Sequence, residues 1–229
     1  VALSKLFKIY GGNKGMKINV SILSSTIKPQ DIVKELDNTN ADAIHIDIMD
    51  GKFVENKTWT IGEITKITKY SSFPLDVHLM VNNPSKYIED YAMLNTNNIT
   101  FHYEAVENID KMINEIKDYG LKVGIAVNPD TDIKNIFPYL DRIDLVLVMS
   151  VYPGKSGQTF IEKTVDKIKE LKEYITENDL KTQISVDGGI NNETGKLCKD
   201  AGADILVSAS YIHNDIKHNI DILKNIIKD

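Results

Sequence analysis

The sequence has one cysteine, Cys198, so no intrachain disulfide can form. A chain of 229 residues buries most of the surface that its unfolded form exposes and needs no such staple. A reducing, cytoplasmic compartment is the expectation, and Cys198, in a helical stretch, is expected to pack rather than react. There is one arginine, Arg142; every other basic residue apart from histidine is lysine. A phosphate site here is therefore not an arginine fork, and must draw on backbone N–H groups, hydroxyls or lysine. Positive charge is in deficit overall. A net charge of −6 excludes general nucleic-acid binding, which needs a basic face. It leaves small anionic ligands open, because backbone dipoles can capture phosphate. No run approaches the roughly 18 apolar residues of a membrane helix, so no membrane span is expected. The opening VALSKLFKIYGGNKG has too short an apolar run, broken by lysines, to read as a signal peptide. Residues 1–15 are expected to be a non-core extension. Neither a composition break nor a Pro/Ser-rich linker divides the remainder, so residues 16–229 are expected to form one domain.

What the sequence does have is a repeated alternation. Short β-branched and aliphatic runs begin with KINVSIL (17–23), AIHIDIM (43–49), LDVHLMV (75–81) and NITFHY (98–103). They continue with LKVGIAV (121–127), DLVLVMS (144–150), TQISVDG (182–188) and DILVSAS (204–210). Helical patterns follow each of them: from Pro29, near 62–70, from Pro84, then over 106–119, 131–140, 160–177, 192–200 and 213–228. Strands alternating with helices imply βαβ units and a parallel sheet. Several runs are apolar throughout, as strands covered on both faces are. Eight units in this length predict a TIM (β/α)8 barrel at its compact end. An open doubly wound sheet is the rival, but no Gly-rich dinucleotide fingerprint follows the first strand.

In such a barrel the chemistry sits at the C-terminal strand ends and in the loops after them. His45 and Asp47 are two apart on strand two, so they share one side, while Ile44, Ile46 and Ile48 take the other. His78 ends strand three and Asp187 ends strand seven. A lone strand histidine is ordinarily a core residue, and a lone terminal aspartate ordinarily a helix cap. Four such groups at matching ends of three strands point instead to one divalent metal ion, Zn, Fe, Mn or Co. The ion also answers the cost of burying two carboxylates together. Met49, Met80 and Met149 end strands two, three and six. By periodicity they are core filling; by position they would form an apolar shell over the metal. His102 ends strand four and could line the mouth.

Asp187 is followed by Gly188-Gly189, and strand eight ends in Ser208-Ala209-Ser210. Paired glycines before a helix let N–H groups approach an anion, and the loops after strands seven and eight are the common phosphate site of this fold. Pro153-Gly154-Lys155-Ser156-Gly157-Gln158, after strand six, reads as a lid or as a mobile connection.

These stretches together resemble the ribulose-phosphate 3-epimerase family. The matching segments are SILSS (21–25), HIDIMDGKFVEN (45–56), DVHLMV (76–81), FHYEA (101–105), AVNPDT (126–131), MSVYPGKSGQTF (149–160) and SVDGGIN (185–191). They run in order from about Lys17 to near the C-terminus. The resemblance implies a ribulose-phosphate-binding type of barrel and interconversion of D-ribulose 5-phosphate with D-xylulose 5-phosphate in the pentose phosphate pathway. It implies metal ligands His45, Asp47, His78 and Asp187, and acid/base residues Asp47 and Asp187. Substrate contacts would come from Ser21, His78, Gly154, Lys155, Ser156, Gly157, Gly188, Gly189, Ala209 and Ser210. It also implies a homo-oligomer. Three positions depart from the family pattern: Val20 replaces a usual proline, Ala209 a usual glycine, and Lys155-Ser156 a common Phe-Gly. Ala209 is expected to crowd a phosphate contact, and Lys155 to add one. Strand three carries His78 where decarboxylase and hexulose-phosphate synthase barrels carry the Lys of DxKxxD, which argues against those. Epimerisation of a six-carbon ketose phosphate and a non-catalytic sugar-phosphate or metal-binding barrel are the alternatives.

Overall fold

The computed structural model describes residues 15–23 and 26–226. The extension expected over residues 1–15 lies outside them apart from Gly15, as do Ser24 and Ser25 of the first matching segment. The apolar runs form strands β1 (Lys17–Ser21), β2 (Ala43–Met49), β3 (Leu75–Met80) and β4 (Thr96–His102). The second half supplies β5 (Lys122–Val127), β6 (Leu145–Met149), β7 (Gln183–Asp187) and β8 (Ile205–Ser208). Every neighbouring pair is parallel, and β8 pairs with β1, so the sheet closes into the expected barrel.

Closure gives each strand one face toward helices and one toward the lumen. Val20, Ile44, Ile46, Ile48, Val77, Ile99 and Val186 join helix residues such as Ile32, Ile64 and Ile168 in one buried apolar cluster. The alternate residues fill the lumen, which is divided. β5, β6 and β8 contribute Ala126, Leu145, Leu147, Met149 and Val207, a second apolar cluster. β1 to β4 and β7 contribute buried polar groups, among them Asn19, Ser21, His45, Asp47, Asp76, His78, Asn98, Thr100, His102 and Ser185. The register sets their neighbours: Ser21 lies beside His45, Asp47 beside His78, and Met149 beside Asp187.

The N-terminal rim is sealed by three aspartates used in one way. Asp42 precedes β2, and its carboxylate accepts from the Ile18 N–H of β1 at 2.7 Å while its own N–H donates to the Ile18 carbonyl at 2.9 Å. Asp144, before β6, makes the same two bonds with Val123 of β5. Asp204, before β8, makes them with Ile184 of β7.

Two crossovers differ from expectation. The fifth, expected as a helix over 131–140, is a 3-10 succession over Ile133–Arg142 with Pro138 inside it. Proline lacks the N–H that an α-helix needs and clashes with the carbonyl four residues back. Ile133, Ile136 and Leu140 nonetheless remain buried. The last helix, expected over 213–228, is two: Ser210–His213 and Ile216–Asn225. Asp215 starts the second by accepting from the His218 N–H, and an N-cap of this kind begins a new helix rather than continuing the old one. β8 correspondingly stops at Ser208, two residues before the expected end.

Lumen packing is tight where β4 faces β5. Gly124 stands beside Thr100, and a methyl group added to Gly124 would lie 2.2 Å from Thr100 Oγ1. We expect Gly124→Ala to destabilise the fold by about 1–3 kcal/mol through overpacking, and Thr100→Ala in the same chain to recover part of the loss. Thermal unfolding of the single and double variants measures both. A single variant as stable as wild type would show that this part of the lumen has room to spare.

Candidate metal and active site

His45 and Asp47 reach the lumen from β2, His78 from β3 and Asp187 from the end of β7. Their potential ligand atoms all lie within 4.8 Å of one another. His45 turns Nε2 toward the carboxylates, 3.3 Å from Asp47 Oδ1 and 3.7 Å from Asp187 Oδ2. His78 turns Nδ1 the same way, 3.1 Å from Asp47 Oδ1 and 3.8 Å from Asp187 Oδ2. Both imidazoles are fully buried. His45 Nε2 has no hydrogen-bond partner. A buried, unpartnered imidazole nitrogen facing two carboxylates is the position that a cation fills. This buried group could hold a divalent metal ion.

Both carboxylates are deep, yet they are held in opposite states. Burial pushes the Asp47 carboxyl up, but the charge of the nearby His45 and the hydrogen bond with His78 outweigh it and hold the group well below the usual carboxylate range. Asp187 goes the other way. Burial first, and the Asp47 charge second, push it up to about 7. His45 is raised well above the usual imidazole value, because Asp76 and Asp47 outweigh its burial. His78 is lowered, chiefly by burial. Without metal, then, a proton on His45 supplies the positive charge that the carboxylates require. Ser21 completes the Asp47 environment, its Oγ donating to Asp47 Oδ2 at 2.7 Å.

Above these groups lies a small cavity of about 50 Å³. Met49, Met80 and Met149 line it, as do Gly188, Gly189, Ala209 and Ser210. The segment Gly154-Lys155-Ser156-Gly157 closes over it. Asn56 donates to the Gly154 carbonyl at 2.8 Å, and Gln158 donates to the carbonyls of Tyr152 and Lys155 at 2.7 and 2.9 Å. Two glycines are required by their surroundings. Gly188 has φ 120° and a side chain there would strike Val151; Gly189 has φ 63° and would strike the Phe160 backbone. Ala209 has φ −118° and ψ −93°, so its backbone is not in the left-handed region that favours glycine. Arg142 is remote, paired with Asp110 on the surface.

His102 does not line the cavity. It stacks behind His78, ring centroids 5.0 Å apart, with Phe53 on it at 4.8 Å. Sequence reasoning also passed over the groups that hold the ligands. Asp76 accepts from Asn19 and Asn98 at 2.7 and 2.5 Å and faces His45 Nδ1 at 2.8 Å. His213 Nε2 lies 2.8 Å from the Ser21 carbonyl and fixes the end of β1. The signal for Asp76 was present: it shares the parity of His78 in a strand otherwise apolar.

Comparison with known proteins places most of the chain. Residues 17–213 match the model of the ribulose-phosphate 3 epimerase family. The ribulose-phosphate 3-epimerase of Chlamydia pneumoniae is 43% identical over 181 residues, covering 78% of this chain and 79% of that protein. Those of Methanocaldococcus jannaschii and Bacillus subtilis are 41% and 39% identical, covering 91% and 86% of this chain and 90% and 92% of their own lengths. Among solved structures, KGPDC from Streptococcus mutans superposes with a TM-score of 0.64 at 15% identity, covering 94% of this chain and 98% of that one. A tryptophan synthase α-subunit from Pyrococcus furiosus gives 0.62 at 16%, covering 93% and 96%. Identities this low speak to the fold alone.

The raised Asp187 carboxyl has a consequence for stability. An acid whose folded value lies above its ordinary 3.8 costs stability once the unfolded chain would ionise it. The cost is absent below pH 3.8, grows through the interval up to about 7, and is complete above it. In metal-free protein at pH 8 we expect Asp187→Asn to raise Tm by several degrees over wild type, with the difference gone near pH 4. Equal Tm at pH 8 would mean that Asp187 ionises without penalty.

Proposed function

The chain belongs to the ribulose-phosphate 3-epimerase family, and we propose that it interconverts D-ribulose 5-phosphate and D-xylulose 5-phosphate through an enediolate. It is an isomerase acting on a carbohydrate. The observation that carries the mechanism is the meeting of two carboxyl groups, Asp47 and Asp187, at one cavity floor beside two buried imidazoles. Asp47 takes the C3 proton. Asp187 delivers a proton to the opposite face. β2 and β7 lie three strands apart around the closed ring, so the two carboxyl groups approach the substrate from different sides, as inversion of a carbon requires. The reverse reaction exchanges their roles. General acid–base help of this kind is worth roughly 10²–10⁴-fold.

The Ser21 hydroxyl donates to Asp47 Oδ2, and Oδ1 faces the two imidazoles. A divalent ion held by His45, Asp47, His78 and Asp187 would supply Lewis-acid stabilisation of the developing oxygen charge, an effect of several kcal/mol. Two imidazoles and two carboxylates suit Zn, Fe, Mn or Co. Met49, Met80 and Met149 keep the floor dry, which strengthens every charge interaction there. The phosphate is read onto Gly188, Gly189, Ala209 and Ser210, where backbone N–H groups take the place of an arginine. Lys155 and Ser156, with Gly154 and Gly157, close over the bound sugar. The single buried cysteine suits a reducing, cytoplasmic setting. No described helix is long and apolar enough to cross a membrane. We read the enzyme as a homo-oligomer from the family pattern.

Proton NMR of D-ribulose 5-phosphate in D₂O with metal-loaded enzyme tests the activity. We expect the C3 proton signal to disappear as xylulose 5-phosphate signals grow. Asp47→Asn and Asp187→Asn should each lose nearly all turnover in the same tube, and near wild-type rates in either would end the two-carboxylate scheme. An unchanged spectrum with metal bound would redirect the reading to six-carbon ketose phosphates, and then to a binding module. Steady-state kinetics test Lys155 separately: Lys155→Ala should raise KM severalfold with little change in kcat, and an unchanged KM removes it from the site.

A further inference from the structure

Behind His78 runs a chain of groups that the reaction itself does not use. His78 Nε2 lies 2.9 Å from His102 Nε2. His102 Nδ1 lies 3.2 Å from Glu104 Oε2. The other Glu104 oxygen accepts from the Asn128 N–H at 2.8 Å and from the Thr131 hydroxyl. His78 and His102 are fully buried, and Phe53 covers the His102 ring, so water does not interrupt the link between the two rings, while Glu104 at the far end is exposed.

We propose that Glu104 is a positioning residue which, acting through His102, decides which nitrogen of His78 is free to hold a cation. This rests on the reading that the four-residue cluster binds a divalent ion. The argument is one of proton counting. The nitrogen of His78 that faces the cluster is Nδ1. To hold a cation it must offer a lone pair, so the single proton of the neutral ring stands on Nε2. Two nitrogens 2.9 Å apart share one proton, so His102 Nε2 must accept. The His102 proton is then on Nδ1, where it needs an acceptor. Glu104, which as a carboxylate can only accept, is that acceptor, and donors on its other oxygen favour the carboxylate form. One assignment satisfies every member of the chain. His45 is treated differently: its rear nitrogen meets Asp76 directly, so it presents Nε2 forward whereas His78 presents Nδ1.

Replacing Glu104 by glutamine breaks this order while changing almost no volume. Glutamine has one acceptor oxygen and one donor NH₂. With NH₂ toward His102, the His102 proton moves to Nε2. It then meets the His78 proton head-on, or drives it to Nδ1 and closes the cation position. With NH₂ toward Asn128, two N–H donors face each other. Thr131→Val removes only a hydroxyl donor and leaves the carboxylate and its bond to His102.

The test is made on full-length protein with zinc as the probe. In zinc-loaded wild type labelled with ¹⁵N-histidine, long-range ¹H–¹⁵N spectra should show His78 protonated on Nε2 and His102 on Nδ1. Chelator competition should show zinc bound about 10–100-fold more weakly by Glu104→Gln, whereas Thr131→Val should keep the wild-type tautomers. A His102 proton on Nε2 in zinc-loaded wild type would overturn the proposal without reference to any variant. So would a folded Glu104→Gln protein that binds zinc as tightly as wild type. If wild type itself takes up no zinc, the failure belongs to the metal reading beneath, and this inference falls with it.

Discussion

Successive side chains of a strand leave on opposite faces, and in a closed parallel barrel those faces meet different worlds. The helix side accepts only apolar groups, so the isoleucines and valines of one parity are committed to it. Everything chemical must therefore be carried by the other parity, inside a space narrow enough that each group touches the next. The division of the lumen follows from this. β5, β6 and β8 close it with aliphatic and methionine side chains, which leaves β1 to β4 and β7 to hold the polar groups against one another.

Once carboxylates occupy such a lumen, charge balance governs the rest. Asp47, Asp76 and Asp187 are buried or nearly so, and separated carboxylates at that depth are costly. Asp76 is offset by amide donors and His45, Asp47 by two imidazoles and a hydroxyl. Asp187, the last of them, has only long contacts to the imidazoles, and burial pushes its carboxyl up. The difference between two chemically identical side chains thus comes from what their neighbours have already committed.

Much of this was legible in the residues themselves. β2 spans the expected Ala43–Met49, because alternation of isoleucine with His45 and Asp47 leaves one possible facing. The four cluster residues were identifiable because each is an anomaly at the end of an apolar run. That residues 154–157 and the Gly188–Gly189 turn border the cavity followed from glycine in loops where the fold puts ligands. What escaped was depth and handedness. His102 has the right parity to reach the cavity, but its ring stacks behind His78, and periodicity does not report depth. Which ring nitrogen faces forward depends on register and rotamer together. Asp76 was overlooked since it stands near a strand's start, away from the end where chemistry is sought. The last helix divides at Asp215 because one cap competes with a pattern that alone would have continued.

The rim aspartates bear on how such a barrel can be assembled. Asp42, Asp144 and Asp204 each tie the strand they introduce to the strand before it, joining β1 to β2, β5 to β6 and β7 to β8 by the same reciprocal pair of bonds. No aspartate among the described residues does this between β3 and β4, where the register shifts instead. A unit of two strands and the helix between them thus carries its own seal, and a single strand does not. Copied or inserted as a pair, such a piece would arrive with its rim already closed. The ring is better understood as modules of two than as eight equal staves, and its irregular pair is the one that lends His78 and His102 to the site.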